Sequence, residues 1–316
     1  MTPQSHAPTP PPPTVQATNA SIFDELFRRW IAYIDVRPKS TETYTKAVRQ
    51  FFRWLQGQNI TQPQRDDILR YRDWLKKTKK PTTVQLYIVA VRQFFSWLEA
   101  EGAYKNISTG IKGAKTDRYH RKDHLTADQV KNVLGGIDRH HALGQRDYTI
   151  LALMATGGLR TIEIVRADVG DIGDVGGEPV LYLQSKGKDE KTDYVKIPPA
   201  INHAIKVYLE QRGTPQDAAA PLFAGTGNRS QGKRLTPRSV SRIVKNRLRN
   251  AGHDSARITA HSLRHSAVTL ALQGGQSLQD VQQFARHTNI TTTMIYAHNI
   301  DRAANTCVKT LAKVIL

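Results

Sequence analysis

Three short clusters in the sequence carry groups able to act on an anion. In His261-Ser262-Leu263-Arg264-His265, His261 and Arg264 stand three apart and share one face where a helix starts. That helix start also offers backbone N–H groups to an anion. Arg160 follows the Gly157-Gly158 turn, with Glu163 one helical turn later. His287 follows a short helix, and Tyr296 comes nine residues after it. A guanidinium donates two parallel hydrogen bonds to the non-bridging oxygens of a phosphate, which lysine, as a point charge, does less specifically. A phenol, with an ordinary pKa of about 10, becomes a nucleophile by losing its proton on attack or through activation by nearby cations. Taken singly, each residue has a quieter reading: Arg160 as a surface partner of Glu163, His261 as a satisfied and partly covered histidine, Tyr296 as a half-buried tyrosine. Order and spacing carry the information.

The chain that must position these groups has 316 residues, with 46 Lys and Arg against 27 Asp and Glu, a formal net charge of +19. That excess exceeds what solubility asks for and points to a polyanionic partner. The length suits two domains with real cores. The single cysteine, Cys307, excludes an internal disulfide framework and cysteine-based zinc sites, in keeping with a reducing, intracellular setting. No apolar run is long enough to span a bilayer, and the Pro-rich N-terminus lacks the apolar core of a secretory signal.

Residues 1–19 cannot bury enough apolar surface to offset their ordering and read as a disordered tail. Residues 20–105 then read as a helical domain. Phe23, Leu26, Phe27, Trp30 and Ile31 share one helical face. An internal repeat follows: Ala47-Val48-Arg49-Gln50-Phe51-Phe52-Arg53-Trp54-Leu55 recurs as Ala90-Val91-Arg92-Gln93-Phe94-Phe95-Ser96-Trp97-Leu98. Two copies make two similar packed helices rather than a solenoid. Ser40 after Pro38, and Thr82-Thr83 after Pro81, offer hydroxyls for N-caps. The repeated Phe-Phe-x-Trp is read as aromatic core, and the interleaved Arg49, Arg53 and Arg92 as a side able to face DNA. A helix over Asp66–Lys77 separates the copies, and Lys79 and Lys80 continue a basic run where a phosphate is welcome. Residues 106–123, with Lys115, Arg118 and Arg121 and little apolar periodicity, read as a basic linker along a nucleic-acid backbone.

The second domain, residues 124–316, opens with the capping box Thr126-Ala127-Asp128-Gln129. A helix from about Arg146 runs to Gly157-Gly158, and Val180–Leu183 and Tyr194–Ile197 form a hairpin across a turn containing Lys186 and Lys188. Thr236-Pro237 opens a basic helix carrying Arg238 and Arg242. Further helices start at His261 and Ser277, lie around Tyr296, and run from Arg302 to Ile315. The predicted class is mainly α with a small β-sheet.

The succession Arg160-x-x-Glu163, Lys186 in a β-turn, His261-x-x-Arg264-His265, His287 and Tyr296 resembles the tyrosine recombinase family, the phage-integrase-like recombinases, over residues 20–316. The resemblance implies a helical SAM-like core-binding domain ahead of a mixed α/β catalytic domain. It implies strand cleavage by Tyr296, a 3′-phosphotyrosyl intermediate, and rejoining without a high-energy cofactor or a metal. Arg160 and Arg264 would stabilise the phosphorane, His261 assist proton transfer or bind the phosphate, and His287 donate to it. Lys186 would protonate the leaving 5′ oxygen; it is preferred over Lys188 because Ser185-Lys186-Gly187 fits the family's Lys-Gly better. Glu163 would support Arg160 from behind, with His265 and His298 as further supporting residues.

Two departures stand out. Ala285-Arg286 replaces the family's Leu-Gly before His287, which puts the local backbone in question and makes Arg286 a further candidate phosphate contact. Gly157-Gly158-Leu159 replaces Thr-Gly-Leu before Arg160. The amphipathic last helix packs on its own domain or, as the resemblance implies, docks on a neighbouring protomer, joining four subunits in a ring on two duplexes bearing specific sites. The reading is of a cytoplasmic, nucleoid-associated enzyme with no membrane partner; accessory DNA-bending proteins stay open. Integration or excision of a mobile element or prophage leads, with Xer-like dimer resolution as the alternative. A type IB topoisomerase and a non-catalytic DNA-binding protein are more distant.

Overall fold

The computed structural model describes residues 25–115, 123–185, 188–297 and 307–315, and the chain divides into two compact units, Met1–Asp117 and Arg118–Leu316. The tail expected over residues 1–19 lies outside the described residues, as do Arg118, Arg121, Lys186 and His298.

In the first unit, α1 (described over 25–33), α2 (Pro38–Gly57), α3 (Arg65–Thr78) and α4 (Pro81–Ala100) enclose an aromatic core. Trp30 meets Phe94 edge-on at 5.4 Å between ring centres, and Phe51 meets Tyr71 at 5.0 Å. Such pairings add about 0.5–1.5 kcal/mol each beyond the area they bury. The repeated sequence makes two unequal helices. The α2 copy buries Ala47, Val48, Phe51 and Leu55, whereas the α4 copy, packed against both α2 and α3, also buries Phe95 and Trp97.

Two expectations need correction here. The hydroxyls of Ser40 and Thr82-Thr83 are not N-caps. Pro38 and Pro81 occupy the first helical turn, where a missing N–H costs nothing, and the caps Arg37 and Lys80 make no side-chain cap bond. Residues 106–115 are not linker either: Ile107 and Ile111 sit in the first unit's core, and their burial outweighs the basic character of the segment. Arg49, Arg53, Lys79, Lys80, Arg92 and Lys115 are all exposed on this unit.

The second unit is built on α6 (Ala142–Thr156), which packs against α8 (Pro199–Arg212) and α10 (Ala260–Gln273). Thr126 caps α5 (Ala127–Gly135) through the predicted box. After α7 (Thr161–Arg166) comes a three-stranded antiparallel sheet in the order β1 (Ile172–Val175), β2 (Glu178–Leu183), β3 (Asp193–Lys196). The predicted hairpin is β2–β3, with Tyr182 opposite Tyr194. Strand β1 escapes sequence reading because Ile172-Gly173-Asp174-Val175 is short and does not alternate. Thr236 and Ser277 accept the N-cap bonds of α9 (Pro237–Asn250) and α11 (Leu278–Ala285), and α12 (Ile290–Ala297) and α13 (Cys307–Ile315) follow. Among the described residues, no helix is long and apolar enough to cross a membrane.

Candidate active site

The site forms where two tight turns approach the start of α10. At the first, Gly158 has φ 59°, which glycine adopts without penalty, and a Cβ there would press on the Phe284 ring at 3.2 Å. This turn delivers Arg160 as the N-cap of α7. Glu163 folds back onto it: Oε2 accepts the Arg160 backbone N–H at 2.8 Å, and Oε1 accepts Arg160 Nη1 at 2.7 Å. The Glu163 side chain is fully buried, so its charge requires such partners. Burial raises its carboxyl, but Arg286 and then Arg160 outweigh burial and hold it below the ordinary value.

Arg264, on the inward face of α10, is 1 % exposed and donates to the carbonyls of Gly158 and Ala285, one from each turn. Burial, with Arg160 and Arg286 nearby, pushes its pKa down to about 9, so it stays charged at neutral pH. Arg160 Nη2 donates to the Arg286 carbonyl at 3.0 Å and the Ala285 carbonyl at 3.4 Å. Both arginines named by the sequence are thus wired to the same pair of turns.

Tyr296 on α12 is buried beside Val268, Val281 and Ala285. Its ring lies 4.5 Å from that of His265 and 6.0 Å from that of His287. Burial raises the phenol's pKa, and Arg264 and Arg160 pull against that rise without cancelling it. The His287 Nδ1 is 3.0 Å from Thr293 Oγ1, a buried hydroxyl that fixes the ring and that sequence reading did not single out. His265 is buried and stacks on His124, rings 5.9 Å apart and nearly parallel. No spacing rule brings residues so far apart in the chain to notice.

His261 is exposed at the start of α10. With Arg160, Arg238, Arg242 and Lys245 it lines an open cleft of about 940 Å³ beside the buried arginines. Such a cleft presents a cationic face to a polyanion. Although Lys186 lies outside the described residues, its neighbour Ser185 is buried, with its hydroxyl 3.5 Å from Glu163 Oε1. Lys188 turns back into the hairpin, 3.0 Å from Asp193 and 3.2 Å from Thr192.

The expectation that Arg286 contacts phosphate is corrected. It ends α11 in the left-handed conformation, φ 52° and ψ 48°, which costs a non-glycine residue about 1–2 kcal/mol. Its side chain, 8 % exposed, points inward and reaches Glu163 Oε2 at 3.1 Å. Its guanidinium lies with Glu163 and the carbonyls of Phe284 and Gly158, and Arg286 does not line the cleft that Arg160 and His261 line.

Comparison with known proteins agrees with this arrangement. Residues 123–302 match the model of the phage integrase family, and residues 27–102 that of the phage integrase N-terminal SAM-like domain. A tyrosine recombinase of Synechocystis sp. is 27% identical over 308 residues, covering 92% of this chain and 94% of its own length. The tyrosine recombinase XerC of Pelobacter propionicus is 34% identical over 183 residues, 57% of this chain and 56% of its own. Among solved structures, the XerH site-specific recombinase on its palindromic difH substrate shares the fold at TM-score 0.70 and 19% identity, covering 86% of this chain and 80% of its own. The Tn1549 transposon integrase, in complex with transposon right end DNA, does so at 0.69 and 16%, covering 92% and 98%. Because the integrase model spans more than half of the chain and takes in every residue of the site described above, this protein belongs to the phage integrase family, the tyrosine recombinases.

Proposed function

We propose that this recombinase breaks and rejoins DNA at specific short sites with Tyr296 as nucleophile. The observation that carries the reading is the convergence of Arg160, Arg264, His287 and Tyr296 on one pair of turns, next to the cationic cleft that His261 lines. In this scheme the phenol oxygen attacks a backbone phosphorus. A Tyr296–phosphate bond forms, the bond to the 5′ oxygen breaks, and Lys186 supplies that oxygen's proton. Arg160 and Arg264 hold the non-bridging oxygens, His261 takes the phenol proton as the O–P bond forms or binds the phosphate, and His287 donates to the phosphate. His265 and His298 support these groups. Rejoining reverses the step and uses the ester bond kept in the intermediate. The burial of Tyr296 means that its oxygen must be turned toward the cleft before attack. The engagement of Lys188 with Asp193 and Thr192 supports Lys186 as the acid.

The first unit, with Arg49, Arg53, Lys79, Lys80, Arg92 and Lys115 exposed, would grip one side of the duplex, and residues 124–316, through Arg238 and Arg242, the other, with Arg118 and Arg121 as further contacts to the DNA backbone. Exposed Leu311, Val314 and Ile315 on α13 support docking of that helix on a neighbouring protomer in a tetramer; a lambda integrase tetramer bound to a Holliday junction is among the solved relatives. Action on a mobile element or prophage is the leading role. The XerC relatives favour the second, dimer resolution, and a plasmid assay with exchanged site pairs separates them.

A duplex nicked beside the cleavage point tests the chemistry. Wild type should be trapped covalently and Tyr296→Phe should give no complex; equal trapping by both would reject Tyr296 as the nucleophile.

A further inference from the structure

Arg286 stands where α11 ends, in a backbone conformation that glycine or asparagine fills more readily. An arginine at such a turn could place its charge in water at no desolvation penalty. Instead its guanidinium is buried. Nη1 donates to the Phe284 carbonyl at 2.9 Å, while Nη2 donates to the Gly158 carbonyl at 3.2 Å and to Glu163 Oε2 at 3.1 Å. Longer contacts of 3.5 and 3.4 Å reach the Gly157 carbonyl. Its Nε is buried with no hydrogen-bond partner, a further penalty that a glycine would avoid. The Arg286 carbonyl meanwhile accepts from Arg160 Nη2. One residue therefore joins the turn before Arg160, the carboxylate behind Arg160, and the turn that leads into His287.

Glu163 shows what these contacts do. Arg286 shares Oε2 with the Arg160 backbone N–H, and this leaves the two side chains of Arg160 and Glu163 joined through Nη1 and Oε1 alone. Without the Arg286 guanidinium, Oε2 would keep only the Arg160 backbone N–H, and the turn before Arg160 and the turn whose carbonyls hold Arg160 Nη2 would lose the side chain that joins them.

We propose that Arg286 is a positioning residue: its inward guanidinium shares Glu163 with Arg160 and ties the Gly157-Gly158 turn to the Ala285-Arg286 turn, holding Arg160, Arg264 and His287 in reacting geometry. This rests on the recombinase reading given above. Arg286→Gly suits the turn and removes the guanidinium; Arg286→Asn, which also tolerates the left-handed conformation, is the second variant, and Arg286→Lys restores charge.

Two measurements on the full chain test it. The first is the rate of covalent trapping at saturating protein, on a nicked duplex carrying the site recovered from DNA trapped on wild type. It should fall at least about tenfold in Arg286→Gly and Arg286→Asn, as small misplacements do, with DNA affinity kept within about twofold and partial recovery in Arg286→Lys. The second needs no DNA: amide hydrogen exchange over residues 157–163 should speed up at least about tenfold in the first two variants and less in Arg286→Lys. Trapping and exchange at wild-type rates in Arg286→Gly would overturn the proposal and leave the recombinase reading standing. Faster exchange in the variants of a wild type that binds DNA but is never trapped would support the tie between the turns and overturn the recombinase reading instead.

Discussion

Around Phe51 and Phe94 the first unit fills its interior with rings and aliphatic side chains; outside the aromatics, Ser108 is the one polar side chain it buries among the described residues. The second unit has an aliphatic core of its own and also buries Arg146, Asp147, Glu163, Arg264 and His265. The first interior is held by burial and shape, which tolerate exchange of one apolar side chain for another of similar volume. The second depends on directed contacts. Asp147 is gripped by Arg146 and Arg247, each at 2.7 Å, and Glu163 by Arg160 and Arg286. Each buried charge is tolerable only with its partner in place. One unit is organised for packing and the other keeps cations pre-aimed.

Mutations placed in each interior can break this contrast. The largest effect expected on stability is from Phe51→Ala, a loss of about 3–5 kcal/mol in urea unfolding. Under conditions where it stays folded, its trapping rate at saturation should match wild type. A loss below about 1 kcal/mol would show that the ring is not part of a close-packed core. Arg264→Lys should do the reverse, cutting the covalent trapping rate by about 10²–10³-fold, the usual effect of removing a donor aimed at developing charge. An unchanged rate would remove Arg264 from the phosphate site.

The acid side sharpens the contrast further. Glu163 lies below its ordinary value when folded, so its ionised form favours the folded state. That contribution is present above the unfolded value of about 4.3 and is lost as pH falls through the lower folded value. The urea midpoint of Glu163→Gln should therefore trail wild type at about pH 7, by a gap that narrows as pH falls below the unfolded value. A constant gap would show that the carboxylate's charge is irrelevant. The smallest effect is expected from exposed Arg242: Arg242→Ala should weaken DNA binding across sequences and lower the log–log salt slope by about 1, with the trapping rate at saturation intact.

Much of the fold is legible in local chemistry. The box at Thr126, the caps at Thr236 and Ser277 and the paired Phe-Phe-x-Trp runs announce helices because capping and periodicity act within a few residues. Local signals misled where a competing one was stronger. Pro38 and Pro81 took the helix starts from the neighbouring hydroxyls, and buried Ile107 and Ile111 overrode a basic, glycine-containing segment. Arg160, His261, Arg264, His287 and Tyr296 stood out as candidates through their order and spacing and the family these resemble. The burial of Tyr296, the stacking of His124 on His265 and the bond from His287 to Thr293 could not be read in that way.

Arg286 marks the boundary most sharply. By itself the sequence determined which charged groups are candidates for the site, because residue type and short-range spacing settle which charges share a helix face or a turn. Only the tertiary structure decided that Arg286 turns inward to Glu163 while Arg238 and Arg242 stay in the cleft. The direction of a long cationic side chain is set by whichever carboxylate and carbonyls the fold brings within reach, and those come from segments more than a hundred residues away.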